Sequence, residues 1–324
     1  MKFMQEIIGH YAQILREETD MFLKNMQREA LTAGTFTQEV YELLKDYVSR
    51  GKFLRGSLLL FAQECYAPKY DVQAVQAAIA LELIHAALLI QDDIMDRSVL
   101  RRGCLALHKS FESRGEVEQF QEVKKTGESL ALCAADALIF VALRLIKHGE
   151  LMDLFSKELH RTALGQMADI MGSASRKTFS KDKILKIYQY KTARYTFSLP
   201  LAAGVILAGR NPAQLEKIGE EMGLLYNLRD DYLDFTSTSG KDQGSDFKEN
   251  KQTMYRLLLC EKTSEEPKDF EHYKELLEKH GVFKEVDQLM LTYHENILKQ
   301  IAQLDILKKE ELALLATNLL TRKK

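Results

Sequence analysis

Helix breakers are scarce: only 4 prolines and 17 glycines punctuate 324 residues, so long stretches run without interruption and no clear strand pattern competes with helix. Cysteine is scarcer still in any useful arrangement. Cys65, Cys104, Cys133 and Cys260 lie far apart with no CxxC pair, which excludes a zinc-site spacing and a disulfide framework and leaves buried, reduced thiols. An excess of charge is also missing. Lys plus Arg number 45 against 47 Asp plus Glu, so no global field draws the chain to nucleic acid or to an anionic membrane, and any anion site must come from local clusters. The stretch MKFMQEIIGHYAQ lacks the apolar core of a signal peptide, and the most apolar segment, 77–90, is interrupted by Glu82 and His85. The expectation is a cytoplasmic protein with no signal peptide and no membrane span.

What is present is helix-forming sequence with a 46% hydrophobic share, enough for a large core. Apolar-periodic stretches run over 1–30, 38–48, 54–66, 71–95, 128–147, 151–171, 181–209, 212–235 and 251–260, with peripheral segments near 269–280, 283–303 and 308–321. Breaks are expected at Pro68, Gly103, Gly127, Gly149, Gly172, Pro212 and Gly240, and a kink or break at Pro200, whose ring removes a donor inside a helical stretch. The fold class is all-α.

One acidic pattern recurs. Asp92, Asp93 and Asp96 form DDIMD at the end of one apolar helix, and Asp230, Asp231 and Asp234 form DDYLD at the end of another. Helix residues four apart share a face, so Asp92 acts with Asp96 and Asp230 with Asp234, while the adjacent aspartate points aside. Three carboxylates within about one turn repel one another unless a cation compensates. Mg²⁺ suits such a claw, since it is held by one or two carboxylates together with substrate phosphate and water. A single such cluster reads equally well as a solvated helix end, and the second copy shifts the balance toward function.

Basic residues accompany the acidic ones. Arg97, Arg101 and Arg102 follow the first cluster, GKFLRG supplies Gly51, Lys52 and Arg55, YKTARY supplies Lys191 and Thr192, and GKDQGSDFKENK supplies Gly240, Lys241 and Lys251. Guanidinium forks and lysine point charges suit phosphate oxygens, although each residue taken singly reads as ordinary surface charge. A histidine on an apolar helix, His85, is by itself more often a core residue; its place two turns before Asp92 favours a ligand role.

This ordered set resembles the trans-isoprenyl diphosphate synthase family over nearly the whole chain. GKFLR resembles the family's first basic motif, ELIHAALLIQDDIMDRSVLRRG its first aspartate-rich region, and GESLALCAADAL and LGQMADI its intervening helices. YKTARYTFSLPL resembles the lysine–threonine motif, and YNLRDDYLDF with GKDQGSDFKENKQT the second aspartate-rich region and lysine loop. Departures are Gly56 for the usual proline, Tyr226 and Asn227 for Phe-Gln, and Ala135 for Gly before Asp136. The resemblance implies an antiparallel helix bundle with a deep central cavity, one domain over 1–324 with peripheral helices over about 269–324, and a homodimer. It implies that isopentenyl diphosphate is joined to an allylic diphosphate.

Under that resemblance Asp92, Asp96 and Asp230 are the principal ligands of a magnesium cluster of about three ions, with Asp93, Asp231 and Asp234 as weaker or outer partners. Arg101, Lys191 and Lys241 contact the allylic diphosphate, with Lys251 as a further diphosphate contact. Gly51, Lys52, Arg55, His85 and Arg102 hold isopentenyl diphosphate without metal, and Thr192 and Asn227 turn oxygen dipoles toward the allylic cation. His108 is given a structural role. Product length is expected to follow Ala87 and Leu88, with Leu83 and Ile84 one turn deeper, and the small Ala87 leaves room for geranylgeranyl diphosphate or a longer product. The rival expectations are a terpene cyclase of the same fold, which usually carries a different second motif, and a non-catalytic regulatory subunit, which would be expected to lose the acidic motifs.

Overall fold

The computed structural model describes residues 2–34, 36–236 and 243–322 and is all-α apart from one minimal hairpin. Two compact units emerge. The first holds Ile8–Phe61 and Tyr70–Gly149, and the second is built mainly from Ala62–Lys69 and the residues after Gly149.

In the first unit, α1 (Lys2–Ala30), α2 (Phe36–Ser49) and α3 (Leu54–Glu64) lead to α4 (Val72–Met95), α5 (Leu107–Val117) and α6 (Val123–Leu143). Asp71 caps α4 by accepting from the Ala74 N–H at 2.9 Å. Beyond that cap α4 is apolar on nearly every side and packs against α6, with Ala77, Ala78, Leu81, Leu83, Ile84, Ala87 and Ile90 buried. A helix of this kind belongs in a core. Both α4 and α6 are long and apolar enough to cross a membrane; 67% of the relevant window of α4 is buried in protein, against 33% for α6, whose outer face is left uncovered.

After α4 the chain reverses. Arg102 (φ 54°) and Gly103 (φ 78°) take the two positive-φ positions of a tight turn between β1 (Leu100–Arg101) and β2 (Cys104–Leu105), where Arg101 pairs with Cys104. This hairpin, which the strand-free reading omits, sends Arg101 back toward the end of α4. Gly127 is also not a break: it lies inside α6, where a Cβ would come within 2.8 Å of the His108 carbonyl and 2.7 Å of Glu112 Cγ on α5. α5 itself was not expected from the sequence.

The second unit contains α7 (Gly149–Ser173), α8 (Lys181–Ile187), α9 (Leu199–Leu207), α10 (Ala213–Thr236), α11 (Ser245–Lys248), α12 (Met254–Lys262), α13 (Phe270–Lys279), α14 (Val282–Ala302) and α15 (Lys309–Thr321). Between α8 and α9 the helix continues through a π-helical segment, Tyr188–Ser198. Pro200 therefore does not break the helix. It falls in the first turn of α9, and the widened winding ahead of it accommodates a residue that cannot donate. The break expected at Gly172 falls where α7 ends, at Ser173.

The π segment lies against two other helices at backbone distance. A Cβ on Gly165 of α7 would sit 2.4 Å from the Lys191 nitrogen, and one on Gly223 of α10 would sit 2.3 Å from the Ala193 Cα. Glycine is what lets the three backbones converge. At the far end of α10, Phe235 packs on Tyr255, Phe283, Tyr273 and Phe270 with ring centroids 5.1 to 5.9 Å apart, which ties the end of the helix to α12, α13 and α14.

The cysteine expectation needs correction. All four are free, but only Cys65 is buried; Cys104, Cys133 and Cys260 are exposed because they fall on the hairpin and on outward helix faces.

The packing at Gly223 yields a direct test. Gly223→Ala should lower stability by about 2 kcal/mol or more, since the added methyl meets backbone with nowhere to move. Urea denaturation followed by circular dichroism measures it, and an unchanged midpoint would contradict the convergence of α10 on the π segment.

Candidate active site

The last turn of α4 carries the first acidic cluster, and its members meet different surroundings. The Asp93 side chain is fully buried and accepts from the Tyr47 hydroxyl at 2.9 Å and from Arg101 Nε at 2.6 Å, with Arg101 Nη2 on the same oxygen. Burial and then the Asp93 charge push the Tyr47 phenol far up, so it stays a donor. Burial pulls the Arg101 guanidinium down, but its hydrogen bond to Asp93 and the charge of that carboxylate outweigh it. Asp92, with 26% of its side chain exposed, lies 3.6 Å from Arg101 Nη2, and Asp96 ends the helix in the open. Arg101 is thus shared between the two carboxylates, while Asp92 is part-exposed and Asp96 exposed.

A cationic cluster belongs to the same unit. Arg16 of α1 donates to the carbonyls of Gly51 (3.1 Å) and Ser49 (3.3 Å), and its guanidinium lies 5.1 Å from the Phe53 ring centroid, which fixes the turn before α3. A Cβ on Gly51 would meet the Val48 carbonyl oxygen at 2.9 Å, and Arg102 Nη1 lies at ordinary contact distance, 3.5 Å, from the same position. Lys52 and Arg102 are exposed and Arg55 is half-buried. His85 is held well below its ordinary value, first by removal from water and then by Arg55, Arg102 and Arg101 around it. It is therefore a neutral ring among cations, able to donate one hydrogen bond to an anion.

The second unit carries the second cluster at the end of α10. Asp230 has 53% of its side chain exposed and pairs with Arg322 Nη2. The Arg322 guanidinium lies 3.9 Å from the Tyr226 ring centroid, and its carbonyl accepts from Arg229 Nε at 3.0 Å. Asp231 accepts from the Tyr188 hydroxyl, which in turn accepts from the Met254 N–H at 3.0 Å. Removal from water and the nearby Asp246 carboxylate push Asp231 well above the usual carboxylate range. Asp234 accepts from the N–H of Ser245 (3.1 Å), the Ser245 hydroxyl (2.8 Å) and the N–H of Asp246 (3.2 Å), so it shapes the turn that begins α11.

Basic partners surround this cluster. Lys191 Nζ lies 2.5 Å from Asp169 of α7, and Lys251 lies 3.3 Å from Asp246 and 2.9 Å from Glu249. Burial pushes the Asp246 carboxyl up to about 6 against the opposing Lys251 charge. Thr192 is half-buried beside Lys191, and the Asn227 amide donates to the carbonyls of Gly223 (2.9 Å) and Tyr188 (3.3 Å). Gly240 and Lys241 lie outside the described residues. Among the length candidates, Leu83, Ile84 and Ala87 are buried and Leu88 is half-buried. His108 is buried, with its carbonyl against Gly127.

Among the described residues, no group of three or more His, Cys, Asp or Glu side chains is arranged to hold a metal unaided. Accessible carboxylates beside cations fit a hard ion that takes part of its coordination from phosphate oxygens. Sequence reasoning missed Arg16, Tyr47, Asp169, Tyr188, Asp246 and Arg322. Asp169, Tyr188 and Asp246 lie inside or next to motifs quoted from the sequence, whereas nothing local marks Arg16, Tyr47 or Arg322.

Residues 37–290 match the polyprenyl synthetase family. The farnesyl pyrophosphate synthase of Mus musculus is 31% identical over 274 residues, covering 76% of this chain and 71% of the relative. The geranylgeranyl diphosphate synthase of Methanosarcina mazei is 30% identical over 241 residues, covering 72% and 71%. In structure, the geranylgeranyl pyrophosphate synthase of Corynebacterium glutamicum, complexed with isoprenyl diphosphate and magnesium, superposes with a TM-score of 0.89 at 23% identity, covering 98% of this chain and 99% of that one.

The surroundings of His85 set its titration. A depressed folded-state pKa means the ring stays neutral as pH falls through the ordinary histidine range near 6.5, so its contribution to stability is full above that range, falls steadily below it as the unfolded chain alone takes up a proton, and is gone once pH reaches the lower folded value. Nuclear magnetic resonance of the His85 ring should show no inflection between about pH 6 and 8. An inflection near the ordinary value would place the ring away from the three arginines.

Proposed function

Because this chain belongs to the polyprenyl synthetase family and is a prenyltransferase of the prenyl diphosphate synthase type, we propose that it joins isopentenyl diphosphate to an allylic diphosphate, with Mg²⁺, to give geranylgeranyl diphosphate or a longer all-trans product. One observation carries the reading: the inner aspartates, Asp93 and Asp231, are bonded to tyrosine hydroxyls, while Asp92, Asp96 and Asp230 keep solvent exposure even where an arginine lies beside them. Residues 1–324 act as one catalytic domain in which both motifs serve one reaction.

Members of the family use divalent metal ions. Asp92, Asp96 and Asp230 would hold Mg²⁺ in this chain, and the bound metal would neutralise charge growing on the leaving diphosphate. Arg322, now paired with Asp230, must share or yield that carboxylate. Arg101, Lys191 and Lys251 steady the allylic diphosphate, together with Lys241. Lys191 and Lys251 are already paired with acids, so their ammonium groups are placed before substrate arrives. Gly51, Lys52, Arg55, His85 and Arg102 take the diphosphate of isopentenyl diphosphate, with neutral His85 as a donor. The allylic carbon–oxygen bond ionises, its electron pair leaving with diphosphate, and the double bond of isopentenyl diphosphate then attacks the allylic cation. A proton then leaves the new cation for the departing diphosphate. Thr192 lies beside Lys191 and turns its hydroxyl oxygen toward the cation, and the Asn227 oxygen assists.

The relatives are synthases, and neither a cyclase nor a non-catalytic subunit finds support among them. A homodimer is supported by the uncovered apolar face of α6, where Leu132 and Phe140 are 43% and 65% exposed. Free thiols at three exposed positions suit the cytoplasm. Ala87 and Leu88 offer no aromatic floor, which supports a product longer than farnesyl.

Labelled isopentenyl diphosphate incubated with purified protein, Mg²⁺ and dimethylallyl, geranyl or farnesyl diphosphate should yield chains of geranylgeranyl length or longer. Release of hydrocarbon without label would indicate a cyclase, and absence of incorporation a regulatory subunit. Asp92→Ala and Asp230→Ala should each lower turnover by roughly a thousandfold with the fold retained by circular dichroism; near-normal turnover in either would remove that residue from the metal site. Ala87→Phe should shorten the product toward farnesyl, because the ring fills space that further isoprene units need. An unchanged product distribution would place residue 87 away from the growing chain.

A further inference from the structure

Helix α3 starts at Leu54, so the N–H groups of its first turn find no acceptor within the helix. The residue before it is Phe53, at φ 52° and buried, whose side chain has no oxygen to offer. The acceptor comes from a different helix. Glu82 of α4, only 5% exposed, places Oε1 2.8 Å from the Gly56 nitrogen, and its carboxylate also takes the Arg55 N–H. A carboxyl oxygen at a helix N-terminus satisfies the orphan donors, and in its ionised form the helix dipole as well.

Gly56 makes that approach possible. A Cβ there would lie 3.2 Å from Glu82 Cγ, 3.1 Å from the Ala78 carbonyl oxygen and 2.8 Å from Leu15 Cδ1. Only glycine lets α3 and α4 come this close while keeping an N–H to donate, and a proline at this position would have none.

The carboxylate also sits among cations. Burial is the largest influence and leaves the Glu82 carboxyl above its ordinary value, with the Gly56 N–H, Arg55, Arg102 and the Arg55 N–H drawing it only partly back. The same two arginines flank His85 one turn further along α4. Glu82 therefore meets the start of α3 at its backbone and lies within electrostatic reach of Arg55 and Arg102. Without a counter-charge, these guanidinium groups would repel one another before any anion arrived.

We infer that Glu82 is the positioning residue of the isopentenyl diphosphate site: by capping α3 from α4 and neutralising the inner side of the Arg55–Arg102 pair, it holds the turn 51–55 and both guanidinium groups ready for a diphosphate it does not touch. The inference rests on the assignment of Lys52, Arg55 and Arg102 to that substrate. It makes a sign prediction against simple electrostatics, since removing a negative charge beside an anion site would by itself tighten anion binding.

The experiment is isothermal titration of isopentenyl diphosphate into the full-length protein, with Glu82→Gln, which keeps shape and one acceptor oxygen, and Glu82→Asp, which keeps charge but withdraws it by one methylene. Lys52→Ala serves as the control. Expected is a Kd roughly tenfold weaker in Glu82→Gln, the scale of one lost charge-assisted contact, and a weakening in Glu82→Asp, with the KM for the allylic diphosphate unchanged in both. Unchanged or tighter binding in whichever Glu82 variant folds, while Lys52→Ala weakens it, would overturn the inference and leave the site assignment standing. Equal losses for both substrates would reduce Glu82 to a structural cap. If Lys52→Ala also leaves isopentenyl diphosphate binding unchanged, the site assignment itself fails.

Discussion

Three aspartates in one helical turn cannot all stay ionised side by side without compensation, and the way this protein compensates them organises what surrounds each motif. In the first motif the inner carboxylate, Asp93, is taken into the core and bonded to Tyr47 and Arg101. In the second, Asp231 is bonded to Tyr188, whose hydroxyl also anchors the start of α12 at Met254. The protein settles each inner carboxylate itself and keeps Asp92, Asp96 and Asp230 wholly or partly exposed, with Asp230 shared with Arg322 and Asp234 committed to the turn before α11. The hairpin at Arg102–Gly103 exists to return Arg101 to Asp93, and the π segment places Tyr188 against α10.

Close backbone packing does the rest of the positioning. Gly165 and Gly223 let α7 and α10 press on the π segment, so Lys191 and Thr192 project from a backbone held on two sides. Past Lys251 and before it, Gln252 and Asn250 donate to the carbonyls of Gly172, Ser173 and Ser175 at the end of α7. Helix α7, which also carries Asp169, therefore steadies both lysines. Electrostatic preorganisation of this kind spares the reaction the work of gathering cations when substrate arrives.

Much of this was legible in the sequence, and the gaps have physical reasons. Long apolar helices such as α4 and α10 show in periodicity, and the acidic motifs show because their spacing equals a helical turn. Helix α5 was missed because its residues, LHKSFESRGEV, are mostly polar and bury only Leu107, His108, Phe111 and Gly115. Gly127 and Pro200 were misjudged as punctuators because their tolerance is decided by a neighbouring helix and by a change of winding, neither of which a single segment reveals. Asp246 lay within a loop already singled out for its lysines. Arg322 pairs with a residue 92 positions away, and no local pattern announces such a contact.

The division of labour within each motif is the claim on which the account turns. Binding of Mg²⁺ with inorganic pyrophosphate, measured by isothermal titration on Asp92→Asn and Asp93→Asn, tests it most directly. The account predicts that Asp92→Asn loses metal-dependent pyrophosphate binding while its thermal midpoint holds, and that Asp93→Asn keeps the binding stoichiometry but melts earlier, because Arg101 and Tyr47 lose the buried charge they were built around. The opposite pattern, with Asp93→Asn abolishing metal-dependent binding and Asp92→Asn leaving it intact, would contradict it.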